Sequence, residues 1–545
     1  MKKFDTYLKY LIPKNKVSFV FFLALILSLL WLKEMNYLFY NMLESPDFNK
    51  NYVYLEHFFS ESTTGKDNGL MYYFLQSLNY SNFYGDLNNS KLFLDQSIQQ
   101  MNFYIFIFGL LGYYLLFELL NFSKKTIFLT LIFINFFPPS IALRLVFKPE
   151  ILAFAFFPWI IYLVEKFLKE ENYKYLILAI PFLASTMTLK GNVLVVIGIY
   201  LFITYIILFK LLPPQKILIL LSIFLFSFLT LTFENNKNNS VNILDIQSGS
   251  AIEANYDYRA NYSVIYNLDL YNLISSPTKH KHADSFIGIT LLETTGDYFD
   301  LYWNNDALGY SKSRRNLIEF KQSMSIRPPD TGSKDSSLVI YQQDNRDVYV
   351  PQTIGLLISI FLYFYLIKSI FKNSTHRKFL IAALVGMAIL LFHSITGIPK
   401  NNFDPLVGDT FKPLYYSFVL IFSFAFLIIS LLKKRTFGFI FIFIYVLIVI
   451  FLMGFPKNYD YDVQVDLVPK IQNSLFCNFE RDYYLKNSDF ENLDCVNKIK
   501  KSLSSYEEVG AISMISNKPF NFLFLMINLI SGTYLILEKR IFKKR

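Results

Sequence analysis

The sequence predicts an all-α polytopic membrane protein with about twelve transmembrane helices, joined by α/β or irregular segments outside the membrane. Composition is the first indication, since 53% of the 545 residues are hydrophobic and 17% are charged, where soluble proteins carry about a quarter charged residues. The second is a recurrence of apolar runs of about 15–22 residues, long enough to cross or nearly cross a bilayer. The third is the placing of Lys and Arg in short tracts beside those runs.

The apolar runs fall into three groups separated by long polar segments. Their abundant Phe and Tyr, 59 and 39 in the whole chain, suit spans with aromatic belts at the membrane interfaces. The predicted spans cover residues 17–36, 101–120, 126–143, 149–168, 174–188, 190–210, 215–233, 351–371, 378–396, 412–432, 436–455 and 519–537. The run at 17–32 is followed by Lys33 and not by small residues, so we expect a retained helix rather than a cleaved signal peptide.

The distribution of basic residues orients these spans. With both termini in the cytoplasm, every inner loop is basic, as the positive-inside rule requires. The basic inner segments carry Lys2, Lys3, Lys14 and Lys16; Lys124 and Lys125; Lys166, Lys169 and Lys174; Lys210 and Lys216; Lys372, Arg377 and Lys378; Lys433, Lys434 and Arg435; and Lys539, Arg540, Lys543, Lys544 and Arg545. The long polar segments then all lie outside. We expect a bacterial inner-membrane protein with an extracytoplasmic site.

This topology predicts five parts of the chain. They are an N-terminal membrane module at 1–233 that includes the first outer loop at 37–100, a large extracytoplasmic loop at 234–350, a second helix group at 351–455, an extracytoplasmic segment at 456–518, and a last helix with a basic tail at 519–545. The net charge of +10 points to membrane lipid headgroups and not to nucleic acid, because the cations flank apolar runs. Cys477 and Cys495 share one outer segment, where either a disulfide or two free thiols would fit.

The first outer loop carries the candidate acid–base residues. Asp47, Glu56 and Asp67 lie close together in a polar and aromatic stretch that follows the first apolar run. A carboxylate held near the headgroups could take a proton from an acceptor hydroxyl that attacks a lipid-bound sugar. The alternative is that Asp47 only caps a short helix.

Cations on the predicted outer face form the second candidate group. Arg144, Lys148 and Glu150 stand in one turn between two spans, and Lys190 stands in another. Because charges at such places are costly and often functional, the three cations could bind the phosphate of a lipid-linked substrate. In the alternative, each cation extends separately to the lipid headgroups. This explains any one of the three cations, but it explains less well why all three lie on the same predicted face.

The large outer loop offers weaker candidates. His280, His282 and Asp284 alternate as metal ligands on a strand would, but no second ligand cluster follows, which favours a solvated loop. We keep the two histidines as candidate substrate contacts. Glu293 begins an acidic and aromatic patch that runs to Asp306 and suits either sugar binding or a loop resting on the membrane. No metal site and no cofactor is indicated, and a divalent metal is left open.

The order of these stretches resembles the GT-C class of integral-membrane glycosyltransferases, in particular the bacterial branch like the dolichyl-phosphate-mannose protein mannosyltransferases. Asp47 stands where that class has an acidic residue after its first helix. The segment 67–73, DNGLMYY, resembles the family's Pro-Pro-Leu-Tyr-Tyr segment without its prolines, which makes Tyr72 and Tyr73 candidate substrate contacts. The turns at 144–150 and 189–192 resemble two basic turns of the family. The resemblance covers roughly residues 17–210.

The resemblance implies an inverting transfer from a polyprenyl-phosphate-linked sugar to a glycan, lipid or protein acceptor outside the cytoplasm. Asp47 would act as the general base, while Arg144, Lys148 and Lys190 would stabilise the departing lipid phosphate. The family's usual Asp-Glu pair is Asp47-Phe48 here, so Glu56 or Asp67 would have to supply a second acidic group.

Three other functions fit the same topology. A transporter or flippase of lipid-linked sugars would need charged residues along its spans, and those seen here, Glu118, Glu165 and His393, lie near span ends or are isolated. A polysaccharide polymerase or ligase would be expected to carry its main cations late in the chain, whereas here they come early. A non-catalytic membrane scaffold is the third.

Overall fold

A computed structural model describes the helical core of the chain and parts of its loops. The described residues are 22–26, 28–30, 51, 54–56, 58–59, 70–84, 91–187, 189, 191–208, 211, 213–215, 218, 222, 262–275, 285–295, 317–320, 338–342, 349–372, 376–396, 413–433, 438, 440–442, 444–445 and 461–462.

Most of the described elements are helices, as the sequence predicts. The helices are α1 (Leu70–Tyr84), α2 (Lys91–Leu119), α3 (Lys124–Phe136), α4 (Pro138–Leu145), α5 (Glu150–Glu170), α6 (Lys174–Met187), α7 (Gly191–Leu201, continued by a π-helix at Phe202–Leu208), α8 (Ser263–Tyr266), α9 (Leu270–Ser275), α10 (Phe286–Thr295), α11 (Tyr349–Phe371), α12 (Arg377–Thr396) and α13 (Ser417–Leu432), which a 3₁₀ turn at Pro413–Tyr416 precedes.

A small antiparallel sheet is built from the predicted outer segments. Strands β1 (Leu317–Phe320), β2 (Leu338–Gln342) and β3 (Tyr461–Asp462) are ordered β1-β2-β3. In the register, Ile318 stands opposite Ile340, and Tyr341 stands opposite Asp462. Strand β2 therefore joins the large loop at 234–350 to the segment at 456–518.

Three described helices are long and apolar enough to cross a membrane: Gln96–Leu119, Glu150–Glu170 and Thr353–Phe371. The pair α3–α4 would be a fourth span if both helices count as one bent unit. The apolar helices α6, α7 and α13 are shorter. These elements indicate a helical membrane protein, and the number twelve stays a prediction.

The predicted span at 126–143 is not one straight helix. It bends by 62° between Phe136 and Pro138. Pro138 and Pro139 have no N–H to continue the α3 ladder, but proline fits the first turn of a new helix. Phe137, which precedes a proline, is extended at φ −72° and ψ 125°, the region to which that position is restricted. The bend places the end of α4 beside α2 and α5.

Helices α2 and α5 pack closely because glycine lines their contact. A Cβ at Gly109 would lie 2.7 Å from Cε1 of Phe154, and one at Gly112 would lie 2.8 Å from Cδ1 of Trp159. Small residues let helix backbones approach where lipid surrounds them. The rings of Phe106 and Phe154 stack there with centroids 4.9 Å apart.

Helix α13 fills the centre of the helical core. Its Phe422 ring lies 4.8 Å from that of Phe157 on α5, and its Phe426 ring lies 5.3 Å from that of Phe117 on α2. The predicted second helix group therefore shares one apolar core with the N-terminal module. The polar side chains buried in that core are the candidates for a functional site.

Candidate functional site

Asn102 of α2 is the centre of a buried polar network. Its amide nitrogen donates to the carbonyl oxygens of Arg144, at 3.1 Å, and Val146, at 2.9 Å. Its amide oxygen accepts from the Tyr72 hydroxyl at 2.9 Å and from the Gln76 amide at 3.0 Å. Two donor and two acceptor positions are all an amide offers, so Asn102 is fully bonded. It joins α1 and α2 to the turn that follows α4.

A second amide ties the first outer loop to the same place. Asn51 accepts a hydrogen bond from the Tyr73 hydroxyl and donates one to the carbonyl of Phe147, each at 2.5 Å. The Tyr54 ring contacts the Tyr73 ring with centroids 5.3 Å apart. The stretch that begins four residues after Asp47 thus rests on α1 and on the 146–149 turn.

Arg144 is buried at the end of α4 and closes the α3–α4 bend. Its Nη1 donates to the side-chain oxygen of Asn135 at 2.9 Å, and its Nη2 donates to the Asn135 backbone carbonyl at 3.1 Å. That carbonyl lies in the last turn of α3, where helix carbonyls have no partner within their own helix. The guanidinium also lies over the Phe106 ring, 4.4 Å from its centroid. Asn135 in turn donates to the Ser28 hydroxyl at 3.0 Å.

Lys148 and Glu150 are both buried in the turn that follows α4, each with 1% of its surface exposed. Charged side chains are almost never fully buried without partners. Tyr72 is hydrogen-bonded to the backbone of Lys148 and interacts electrostatically with the charge of Glu150. Burial raises the pKa of Tyr72 well above its usual range. The hydrogen bonds that Tyr72 forms with Gln76 and Asn102 oppose this rise, and the charge of Glu150 adds to it. The Tyr72 hydroxyl is therefore neutral and acts as a hydrogen-bond donor.

We call this set of side chains the amide cluster. It consists of Asn51, Tyr72, Tyr73, Gln76, Asn102, Asn135 and Arg144, with the turn at 146–150. Apolar rings enclose it: the Phe147 ring lies 6.0 Å from that of Tyr72 and 5.8 Å from that of Tyr73. The cluster can hold a turn and its charges rigidly beside the first outer loop.

The structure brings together five of the residues that the sequence singles out: Tyr72, Tyr73, Arg144, Lys148 and Glu150. Glu56 lies nearby in the helical turn at 54–56, where it is partly exposed. The other predicted residues lie outside the described part of the chain: Asp47, Asp67, Lys190, His280, His282, Cys477 and Cys495.

Sequence reasoning missed the four amides, Asn51, Gln76, Asn102 and Asn135. A signal was present for two of them, since Asn102 and Asn135 interrupt apolar runs predicted to cross the membrane. Polar side chains inside such runs need partners in the protein interior.

A second polar cluster lies at the opposite end of α5. Nζ of Lys378 on α12 contacts both carboxylate oxygens of Glu165, at 2.6 and 2.7 Å. The hydroxyl of Tyr205, in the π-helix, donates to the same carboxylate at 2.6 Å. Glu165 thus lies near the end of its helix, as the sequence indicates. The sequence does not show its partners, because Lys378 of α12 and Tyr205 of the π-helix are distant from it along the chain.

His376 stands just before α12 and near the same end of the core. Its Nε2 lies 3.1 Å from Nζ of Lys433. Burial, together with the smaller effects of the charges on Lys433 and Lys378, lowers the pKa of His376 to about 4. The imidazole is therefore neutral at physiological pH and can accept a hydrogen bond from Lys433.

A third polar group lies on one face of α10. Thr290, Glu293 and Thr294 are all buried, and positions three and four apart share a helix face. The Thr294 hydroxyl lies 2.7 Å from the Tyr363 hydroxyl of α11. Glu293, the first residue of the predicted acidic patch, is therefore buried; residues 296–306 of that patch lie outside the described part of the chain.

Among the described residues, no three or more His, Cys, Asp or Glu side chains are grouped so that they could hold a metal ion. Compared with protein-family models, the chain matches none. A comparison with curated proteins gives no match either.

Proposed function

We propose that this chain is a membrane glycosyltransferase that moves a sugar from a polyprenyl-phosphate-linked donor to an acceptor outside the cytoplasm. The observation that carries the proposal is the amide cluster. Two stretches that the sequence selects separately, Tyr72-Tyr73 and Arg144 to Glu150, meet in it. Asn51, four residues after Asp47 in sequence, is hydrogen-bonded to both stretches. Buried polar and ionisable groups in a membrane protein mark a functional site by default.

The proposed reaction is a single in-line displacement. The acceptor hydroxyl oxygen forms a bond to the anomeric carbon while Asp47 takes the hydroxyl proton. The bond between that carbon and the donor's phosphate oxygen breaks, its electron pair stays on the phosphate, and the configuration inverts. Lys148 and Lys190 stabilise the charge on the departing phosphate.

Arg144 takes a different part in this proposal from the phosphate clamp that the sequence suggests. Two of its nitrogens already donate to Asn135, and its own carbonyl accepts from Asn102. It therefore acts as a positioning residue that fixes the 146–150 turn. The predicted roles of Lys148 and Glu150 depend on that turn.

The proposed topology has about twelve spans, both termini in the cytoplasm and the site on the outer face. Contacts between helix ends support it. The end of α5 that carries Glu165 meets the start of α12, and the end of α13 meets His376, as expected if these ends share the inner side. The amide cluster lies at the start of α5, the opposite end of the same helix.

The test uses the full chain in lipid vesicles, with a panel of polyprenyl-phosphate monosaccharides and with membrane extract as the source of acceptors. Transfer of labelled sugar is measured for the parent, for Asp47→Asn and for Glu56→Gln. We expect Asp47→Asn to lose transfer by about 10²-fold or more, which is the usual contribution of a general base. Glu118→Gln is the matched control, since it removes an acid near the other end of α2. Retained transfer in Asp47→Asn with loss in Glu56→Gln would move the base to Glu56, and no transfer in the parent with any donor would contradict the enzyme proposal.

A transporter of lipid-linked sugars is the second candidate, and one observation favours it. The Glu165–Lys378 pair, which is partly buried at the inner end of α5, supplies paired charges of the kind that a transport path uses. In the same vesicles, a transporter would move labelled donor across the bilayer without changing it chemically, and an enzyme would release polyprenyl phosphate. The two products are separable, so one reconstitution decides between them.

A further inference from the structure

We infer that residues 262–275, which contain α8 and α9, form an anchor that lies in the lipid headgroup–acyl boundary of the bilayer. The sequence assigns this stretch to the middle of the large extracytoplasmic loop, where water would be expected on its outer surface. The structure instead gives it two different faces, and the inference is independent of the proposed enzyme activity.

One face of this anchor packs on the protein. Val264 of α8 and Leu273 of α9 are fully buried. Leu273 lies in an apolar cluster with Leu292 of α10 and Leu356 of α11. The anchor therefore has a fixed place against the start of α11.

The other face is apolar and aromatic but is not covered by the protein. The exposed fraction reaches 75% at Tyr266 and 80% at Tyr271. The exposed large side chains of the anchor are Tyr262, Ile265, Tyr266, Leu270, Tyr271 and Ile274. Six large apolar or aromatic side chains in fourteen positions form a patch that water does not favour.

The position of Leu356 sets the depth of the anchor. The candidate span in α11 begins at Thr353, so Leu356, three residues later, lies only about 4–5 Å into it at 1.5 Å per residue. The next side chain, Leu357, is exposed, as are Ile360 and Phe364 further along. The anchor therefore shares an apolar cluster with the part of α11 next to which exposed side chains begin, and we infer that its own exposed face meets lipid at that level.

Its composition fits that depth. Tyrosine collects at membrane interfaces, because the ring enters the apolar layer while the hydroxyl stays at the headgroups. Tyr262, Tyr266 and Tyr271 supply three such rings, and Asp269 supplies a charge in the link between α8 and α9. A short amphipathic element of this kind lies in the interface and does not span the bilayer.

The anchor would hold α10 at the membrane surface, because α8 contacts α10. Helix α10 carries the buried Glu293. Any lipid-linked substrate of this protein would present its phosphate at the level of the anchor, whether the protein transfers the sugar or transports it.

The test measures tryptophan fluorescence in vesicles of phosphatidylcholine brominated at either a shallow or a deep acyl position. Tyr271→Trp and Tyr266→Trp are each compared with the parent, so that the signal of Trp31, Trp159 and Trp303 is subtracted. Phe364→Trp is the matched control, since Phe364 is exposed and lies eleven residues beyond Thr353, about 16 Å into the span and near the middle of an approximately 30 Å hydrocarbon core.

We expect shallow bromines to quench the added emission at Tyr271 and Tyr266 more than deep bromines, and the order to reverse at Phe364→Trp. Emission at the anchor that is quenched by aqueous iodide and not by either lipid would show that the face points into water. Emission quenched by none of the three would show that protein, either another part of the chain or a second copy, covers it. Either result would overturn the inference.

A measurement on the unsubstituted chain guards against a variant that fails to fold. A photoactivatable phospholipid with its reactive group near the headgroup is incorporated into the vesicles, and labelled peptides are identified by mass spectrometry. The inference predicts labelling within residues 262–275, and its absence in a sample where residues 353–371 are labelled by a deep-probe lipid would contradict it.

Discussion

Replacing Asn102 with leucine tests whether the amide cluster holds the 146–150 turn. Leucine is similar in volume and apolar, so it removes all four hydrogen bonds of the Asn102 side chain at once. Hydrogen bonds inside membrane proteins average about 0.6 kcal/mol in double-mutant cycles, and those of soluble proteins about 1 kcal/mol. Four bonds therefore predict a loss of about 2–4 kcal/mol in the free energy of unfolding.

The assay is unfolding of the purified protein in mixed micelles by added denaturing detergent, followed by circular dichroism. Asn102→Asp is the informative companion, because it keeps the acceptor for Tyr72 and Gln76 but loses the donor to the carbonyls of Arg144 and Val146. We expect it to lie between the parent and Asn102→Leu. An Asn102→Leu protein as stable as the parent and equally active would refute the reasoning, since the turn would then not need the cluster.

Three further predictions concern the helical core. Gly109→Ala should lower the free energy of unfolding by about 1–3 kcal/mol, because the added methyl group overpacks α2 on α5. Gly198→Ala, where a Cβ meets nothing within 4 Å, should leave that free energy unchanged or raise it by about 0.5–1 kcal/mol. Equal effects of the two variants in detergent unfolding would contradict the close α2–α5 approach. Glu165→Gln and Lys378→Met should each lower the free energy of unfolding by about 1–3 kcal/mol, because each leaves a partly buried charge without its partner. The double variant should recover part of that loss, and strict additivity would show that the two side chains do not interact. The pKa of His376 is lowered from 6.5 to about 4, so the folded state binds the imidazole proton less readily than the unfolded state. The free energy of unfolding should therefore fall as the pH drops from about 6.5 to 4, and it should fall less in His376→Gln. An unchanged pH dependence in that variant would argue against the buried neutral imidazole.

The helices were predictable because their apolar runs are long and flanked by charge. The bounds of α5 and α11 follow from such runs, and α13 is shorter than its run only because Pro413 to Tyr416 form a 3₁₀ turn. The bend at Phe137 could also be predicted from Pro138 and Pro139 in physical terms, yet hydropathy alone joins α3 and α4 into one span. Hydropathy reports how apolar a segment is and carries no information on where the helix axis changes direction.

The partners inside the site could not be predicted in the same way. Asn102 reaches Arg144 across forty-two positions of sequence, and Glu165 reaches Lys378 across 213. Such pairs depend on how the helices pack, which a single sequence does not encode locally. Arg144 shows the consequence: its charge alone predicts a phosphate ligand, and the sequence gives no sign that two of its three guanidinium nitrogens donate to the side-chain and backbone oxygens of Asn135.

The sequence also does not predict that residues 262–275 differ from the rest of the large outer loop. Asn267 and Asp269 interrupt any apolar run in residues 262–275, so hydropathy does not distinguish this stretch from the rest of the large outer loop. The apolar cluster of Leu273, Leu292 and Leu356 is the observation that relates this stretch to the start of α11.

The most direct test of the central claim follows the anomeric configuration of the transferred sugar in reconstituted vesicles, with parent and Asp47→Asn protein side by side. The proposed displacement predicts a product inverted relative to the polyprenyl-phosphate donor, released with free polyprenyl phosphate by the parent and not by Asp47→Asn. A product that retains the donor's configuration, or equal release by both proteins, would contradict it.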